Sequence, residues 1–130
     1  MGSDKRVRVI LIDDQDDVRS YLKSILGKLD CDVVGEAENG KKGVELFKKV
    51  KPDLVLLDLK MPVMNGGEAL NLIMADDPDA QVILLTAVDD SMDIMSKFDA
   101  GARYYIRKDS PPDKIRSILE EQINNISEMD

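Results

Sequence analysis

Histidine is absent from this sequence of 130 residues, and cysteine occurs once, at Cys31. The lack of histidine excludes a histidine-based catalytic triad and a histidine metal site. A single cysteine forms no disulfide within the chain, and it fits a reducing compartment. No apolar run is long enough to cross a bilayer, and no signal-peptide pattern opens the chain. We therefore expect a cytoplasmic protein without a membrane partner.

Basic residues are also few compared with acidic ones, 18 against 26, which gives a net charge of −8. Nucleic acids and anionic membranes are held mainly by basic surfaces, so neither is expected as a direct partner. The acidic balance favours cationic partners or a bound metal ion instead. The length suits one domain, and a hydrophobic content of 43% is enough to build a core.

Five short apolar segments alternate with segments whose apolar residues recur at helical spacing. The apolar segments, which are typical of buried strands, occupy residues 7–12, 32–37, 54–57, 81–86 and 103–106. Strict alternation of strands and helices predicts a parallel sheet covered on both faces. We therefore predict an α/β domain of the flavodoxin-like kind, with five helices around a five-stranded sheet in the common order 2-1-3-4-5.

Capping residues mark the ends of several predicted helices. Two glycines at 66–67 open the third helix. Asp89 begins a fourth helix, which Gly101 closes. Ser110 is the predicted N-cap of the last helix, with Pro111 at its first position.

Polar residues stand where four of the predicted strands end. Asp13 and Asp14 follow the first strand, Asp58 follows the third, Thr86 ends the fourth and Lys108 comes after the fifth. The carboxyl ends of parallel strands lie at one edge of a sheet, and ligands bind there where the strand order reverses. We therefore expect these five side chains to converge, with the three carboxylates between strands one and three.

Three neighbouring carboxylates need a compensating charge, because two like charges about 4 Å apart repel by roughly 4 kcal/mol at an effective dielectric near 20. Oxygen ligands without histidine or thiolate suit Mg²⁺ better than Zn²⁺. Lys108 adds an ammonium group and Thr86 a hydroxyl. Together these groups form a cradle for a phosphoryl group on Asp58, since an aspartate can act as a nucleophile and form an aspartyl phosphate.

Four motifs, taken in order, carry a resemblance to a known family. They are Asp13-Asp14, the run Asp58-Leu59-Lys60-Met61-Pro62 with Asn65-Gly66, the step Thr86-Ala87, and Lys108. Over essentially its whole length, as a single domain 1–130, the chain resembles a receiver domain of a two-component response regulator, of the chemotaxis-regulator kind. The segment Lys-Asp-Ser-Pro-Pro at 108–112 resembles receivers attached to helix-turn-helix DNA-binding domains.

The resemblance implies that Asp58 accepts a phosphoryl group from a phosphohistidine on a sensor histidine kinase or a phosphotransfer protein. It also implies a ligand set for Mg²⁺. Asp14, Asp58 and the backbone carbonyl of Lys60 would bind the ion directly, and Asp13 would act through a water molecule. Enzymatic activity would be limited to self-phosphorylation and slow self-dephosphorylation.

The resemblance further assigns the signalling output. Lys108 would pair with the phosphoryl oxygens, and Thr86 would donate a hydrogen bond to one of them. Tyr105 matches the aromatic switch residue of the family, which turns inward when Thr86 moves. The face made by the fourth helix, the fifth strand and the last helix would then change its contacts with a downstream protein or a covalently linked effector domain.

Three other functions remain open at this point. A constitutive interaction scaffold on the same fold would need no phosphorylation, but a degenerate acidic pair or a missing lysine is expected in that case. Small phosphatases with an aspartyl nucleophile have an Asp-x-Asp arrangement at that nucleophile. In this sequence Leu59 and Lys60 follow Asp58, so the motif is not matched. Flavin binding is the weakest of the three, because no Gly- or Ser-rich phosphate loop follows the first strand.

Overall fold

A five-stranded parallel sheet forms the centre of the protein. The structure is a computed structural model, which describes residues 6–87 and 100–129. The strands are β1 (Val7–Ile12), β2 (Cys31–Ala37), β3 (Leu54–Asp58), β4 (Val82–Thr86) and β5 (Tyr104–Arg107). Their order in the sheet is β2-β1-β3-β4-β5, and every pairing is parallel. The predicted α/β class and the predicted strand order are therefore confirmed.

Four helices occur in the described part of the chain. They are α1 (Asp16–Leu26), α2 (Gly40–Val50), α3 (Gly66–Asp76) and α4 (Pro112–Ser127). The helix predicted to begin at Asp89 lies outside the described residues. None of these four helices is both long and apolar enough to cross a membrane.

Helices on both faces bury the sheet, and its central strands β3 and β4 are apolar up to their last residues, Asp58 and Thr86. Every residue of β3 and β4 is buried. Alternate residues of one strand enter different cores: Val9 and Leu11 of β1 pack with α1 and α4, whereas Ile10 and Ile12 pack with α2 and α3. Two apolar layers therefore hold the sheet, and the strand ends at its carboxyl edge are left for polar side chains.

The start of α3 agrees with the sequence-based prediction, whereas the start of the last helix, α4, does not. Asn65 caps α3 through a reciprocal capping box with Glu68, directly before the predicted pair of glycines. The prediction of Ser110 as the N-cap of the last helix is wrong, because α4 begins at Pro112 and its N-cap is Pro111. A proline disfavours helical backbone in the residue before it, so Pro112 keeps Pro111 extended and moves the start of the helix forward.

Gly66 brings the first turn of α3 against the end of β3. A Cβ atom at this position would lie 2.1 Å from the backbone oxygen of Asp58, a distance that no packed side chain tolerates. The Gly66 amide also donates a hydrogen bond to the Leu59 carbonyl at 2.9 Å. The missing side chain therefore lets α3 start directly beside the strand end that carries Asp58.

Gly66→Ala is expected to destabilise the protein by about 2 kcal/mol or more, because the new methyl group must displace backbone rather than a flexible side chain. Gly27→Ala is the matched control, since Gly27 has helical backbone angles (φ −61°, ψ −16°). That substitution should change the free energy of unfolding by less than about 0.5 kcal/mol. Urea unfolding followed by circular dichroism measures both, and equal effects would contradict the proposed close packing.

Candidate functional site

Three carboxylates meet at the carboxyl edge of the sheet. Asp13 follows β1, Asp14 comes next in the chain, and Asp58 is the last residue of β3. One carboxylate oxygen from each of the three lies within 4.8 Å of the others. The parallel pairing of β1 with β3 produces this cluster, because it brings together strand ends that are 45 residues apart. The predicted acidic cluster is thus present in the structure.

Lys108 joins this cluster from the turn after β5. Its Nζ atom lies 2.8 Å from Oδ2 of Asp13 and 3.1 Å from Oδ2 of Asp58. The same Nζ atom donates a longer hydrogen bond, 3.4 Å, to Oε1 of Gln15. The contact with Gln15 is absent from the sequence-based prediction, since nothing in the spacing of residue 15 indicates that it meets residue 108.

Thr86 stands at the end of β4, between the strands that deliver Asp58 and Lys108. Its side chain is buried, and its hydroxyl donates to the carbonyl of Ile106 on β5 at 3.5 Å. Its backbone carbonyl accepts a hydrogen bond from the Lys108 amide at 2.8 Å. Thr86 therefore connects β4 to the turn that carries the lysine.

The two carboxylates that face Lys108 are removed from water. Asp13 is 0% exposed and Asp58 is 4% exposed, whereas Asp14 is exposed. Oδ1 of Asp13 accepts a hydrogen bond from the Gln15 amide at 2.9 Å, and Oδ1 of Asp58 accepts a weaker one from the Lys60 amide at 3.4 Å. Within the described residues, Oδ2 of Asp13 has no hydrogen-bond donor besides its ion pair with Lys108.

Burial and charge change the acidity of these groups. Burial, followed by the charge of Asp13, raises the pKa of Asp58 to about 6, although Lys108 acts in the opposite direction. Burial lowers the pKa of Lys108, but its contacts with Asp13 and Asp58 outweigh this and leave that pKa above the ordinary value. Lys108 therefore stays charged at neutral pH, and Asp58 titrates close to neutrality.

The donor atoms of the cluster fit a hard divalent cation. All three side chains offer carboxylate oxygens, and the group contains neither histidine nor thiolate. The buried Oδ2 atom of Asp13 also lacks a hydrogen bond within the described residues, so it has capacity for a further positive partner. These features suit an ion such as Mg²⁺, which prefers oxygen ligands and keeps some of its water. Lys60, whose backbone carbonyl is the remaining predicted ligand, lies in the loop two residues after Asp58.

Tyr105 lies on β5, three residues before Lys108. Its side chain is 39% exposed, and its ring stacks on Tyr104 with the ring centroids 6.1 Å apart. The ring thus lies at the surface of the protein in this structure.

A sequence model of the response regulator receiver domain matches residues 9–120. The chain belongs to this family. The receiver domain is 38% identical to the chemotaxis protein CheY of Thermotoga maritima over 112 residues, which cover 86% of this chain and 93% of CheY. It is also 40% identical to the transcriptional regulatory protein LnrK of Bacillus subtilis over 110 residues, covering 84% of this chain and 50% of LnrK.

The receiver domain is similar in structure to CheY as well. The CheX–CheY–BeF₃–Mg²⁺ complex from Borrelia burgdorferi matches it with a TM-score of 0.83 and 25% sequence identity, covering 89% of this chain and 88% of the matched chain. The resemblance drawn from the strand-end motifs is therefore confirmed.

Asp58→Asn is expected to gain stability relative to the wild-type protein as the pH rises in the absence of divalent ions. Because the pKa of Asp58 is raised to about 6 in the folded protein, its stabilising contribution is present below its unfolded pKa and is lost as the pH rises through 6. The asparagine does not titrate. The relative gain between about pH 4.5 and about pH 7.5 should be on the order of 1–2 kcal/mol after allowance for solvent screening.

Urea unfolding of both proteins at the two pH values measures this gain. Titrating groups outside the cluster contribute equally to the two proteins and cancel in the difference, which therefore reports on Asp58 together with the groups coupled to it. A difference in the free energy of unfolding that is the same at both pH values would contradict the raised pKa of Asp58.

Proposed function

We propose that this receiver domain is a phosphorylation-controlled signalling switch with Asp58 as the phosphoryl acceptor. The observation that carries the proposal is the position of the Lys108 ammonium, 3.1 Å from a nearly buried Asp58 carboxylate that has two further carboxylates beside it. This arrangement places a nucleophile, a fixed cation and a set of metal ligands at one strand edge. The phosphoryl donor is a sensor histidine kinase or a phosphotransfer protein.

Mg²⁺ is the proposed cofactor. Asp14, Asp58 and the backbone carbonyl of Lys60 would hold the ion directly, and Asp13 would act through a water molecule. When bound, the ion would offset the negative charge of the carboxylates and of the incoming phosphoryl oxygens. The similar CheX–CheY complex contains Mg²⁺ and BeF₃, which supports a magnesium site in this domain.

The proposed transfer is a displacement at phosphorus. A carboxylate oxygen of Asp58 forms a bond to phosphorus while the bond from phosphorus to the donor imidazole nitrogen breaks, and the imidazole keeps the electron pair. Lys108 pairs with the phosphoryl oxygens, and the Thr86 hydroxyl donates to one of them. Water later cleaves the aspartyl phosphate, which yields phosphate and restores Asp58. We propose that self-phosphorylation and slow self-dephosphorylation are the whole chemistry of the domain.

The proposed output begins at Thr86. Its hydroxyl now donates to the Ile106 carbonyl, and a turn toward the phosphoryl group would break that contact. The space released beside β5 would let the exposed ring of Tyr105 move inward. The face made by β5, α4 and the helix predicted to begin at Asp89 would then present a different surface to a downstream protein or a linked effector domain.

Incubation with Mg²⁺ and acetyl phosphate is expected to add one phosphoryl group, seen as a retarded band on a Phos-tag gel and as the matching mass increase. Asp58→Asn should abolish the modification, because it removes the proposed acceptor, and the other carboxylate that contacts Lys108, that of Asp13, is completely buried. Asp53→Asn is the control, since Asp53 precedes the amino end of the same strand and binds the Arg8 amide there. Phosphorylation of Asp58→Asn at the wild-type level would refute the assignment.

Mg²⁺ is expected to stabilise the wild-type protein, by about 1.4 kcal/mol when its concentration is ten times its dissociation constant. Asp14→Asn should remove most of this effect, whereas Asp17→Asn removes the same charge from the exposed first turn of α1 and should keep it. The effect should weaken at about pH 5, where protons compete for Asp58.

Thermal unfolding with and without Mg²⁺ measures the effect. A wild-type protein that Mg²⁺ leaves unchanged would contradict the proposed switch, and it would favour a constitutive scaffold on the same fold.

A further inference from the structure

Arg19 of α1 reaches back to the loop that carries the acidic pair. Its Nη1 donates a hydrogen bond to the backbone carbonyl of Asp13, and its Nη2 pairs with the carboxylate of Asp16. Its Nε lies 2.9 Å from Oε1 of Glu36 on β2. The side chain is only 13% exposed. One guanidinium group thus connects the loop, the first turn of α1 and the neighbouring strand.

The carbonyl that Arg19 binds belongs to the peptide unit between Asp13 and Asp14. Asp13 is also held through its amide, which donates to the Ala37 carbonyl at 3.0 Å, and through Oδ1, which accepts from the Gln15 amide. The backbone that leads into Asp14 is therefore fixed by contacts on both sides.

The side chain of Asp14 has no such support. It is exposed, and within the described residues it forms neither a hydrogen bond nor an ion pair. Its backbone therefore determines where the Cβ atom lies, and hence whether a rotamer can place its carboxylate in the cluster. The rigidity of that backbone depends in turn on the hydrogen bond from Arg19.

Glu36 keeps the Arg19 side chain in this orientation. Its second oxygen, Oε2, lies 2.6 Å from Nζ of Lys23, so the carboxylate joins two cations of α1. The hydrogen bond from Lys23 lowers the pKa of Glu36, and the contact with Arg19 lowers it further. Glu36 is therefore ionised at neutral pH, and the fork of Arg19 stays directed at the loop.

We propose that Arg19 is the positioning residue of the metal-binding loop: by holding the peptide unit between Asp13 and Asp14, it preorganises the Asp14 carboxylate for the cation. The inference rests on the proposed Mg²⁺ site, and it concerns a residue that is not one of the proposed ligands. Groups that orient metal ligands from outside typically change metal affinity about 10- to 100-fold when they are removed.

Electrostatics alone predicts the opposite result. Removing a positive charge close to three carboxylates strengthens their attraction for a cation, so a merely electrostatic Arg19 would oppose Mg²⁺ binding. Loss of positioning weakens binding instead. The sign of the change in affinity therefore distinguishes the two roles.

Arg19→Ala is expected to weaken Mg²⁺ binding about 10-fold, measured by isothermal titration calorimetry at a temperature where circular dichroism shows each variant folded. Arg6→Ala is the matched control. Arg6 also pairs with a carboxylate, Asp32, and donates to a backbone carbonyl, that of Cys31, but it precedes the opposite end of β1. Its loss removes the same charge and should change the affinity less than about twofold.

Arg19→Lys keeps the charge and decides the question if Arg19→Ala fails to fold. A single ammonium group has no fork to hold one carbonyl and two carboxylates together, so Mg²⁺ binding should weaken about threefold. Wild-type or tighter affinity in the folded Arg19 variants would overturn the proposal. A wild-type protein that binds no Mg²⁺, or an Asp14→Asn variant that binds it normally, would instead refute the proposed metal site itself.

Discussion

The pairing of one ammonium group with two buried carboxylates is the interaction on which the site depends. Asp13 and Asp58 are almost completely removed from water, and their charges repel each other there. Lys108 lies within 2.8 and 3.1 Å of them and compensates part of that repulsion. Breaking a buried pair by removing one partner typically costs roughly 3–5 kcal/mol, so the three groups act as a unit. The remaining negative charge makes the edge attractive to a cation.

The parallel sheet is what makes such a unit possible. Asp13 follows β1, Asp58 ends β3 and Lys108 follows β5, so 95 residues separate the first from the last. Backbone hydrogen bonds set the register between neighbouring strands. The apolar layers on both faces hold the strands in that register, so that their carboxyl ends lie along the same edge of the sheet. The polar residues are consequently delivered to one edge by apolar layers to which their own side chains do not belong.

The sequence therefore predicts well those features that follow from local pattern. Alternating apolar segments determine the sheet, and the end of each apolar run shows which polar residue reaches the edge. The start of α4 is predicted one residue too early, because Ser110 is a good cap and the backbone preference set by Pro112 is stronger. The contacts of Gln15 and Arg19 are invisible in the sequence. Periodicity predicts which face of a helix is buried, but it does not predict which distant atom a long polar side chain reaches.

The close approach at Gly66 has a consequence for motion. The backbone of α3 lies so near the Asp58 carbonyl that no gap separates the helix from the strand end. Protein interiors packed at this density have low compressibility and transmit strain, so a displacement of the strand end would carry the helix with it. Asp58 and the first turn of α3 are thus expected to move together. Any movement of the Asp58 backbone would therefore also shift the α3 side of the molecule.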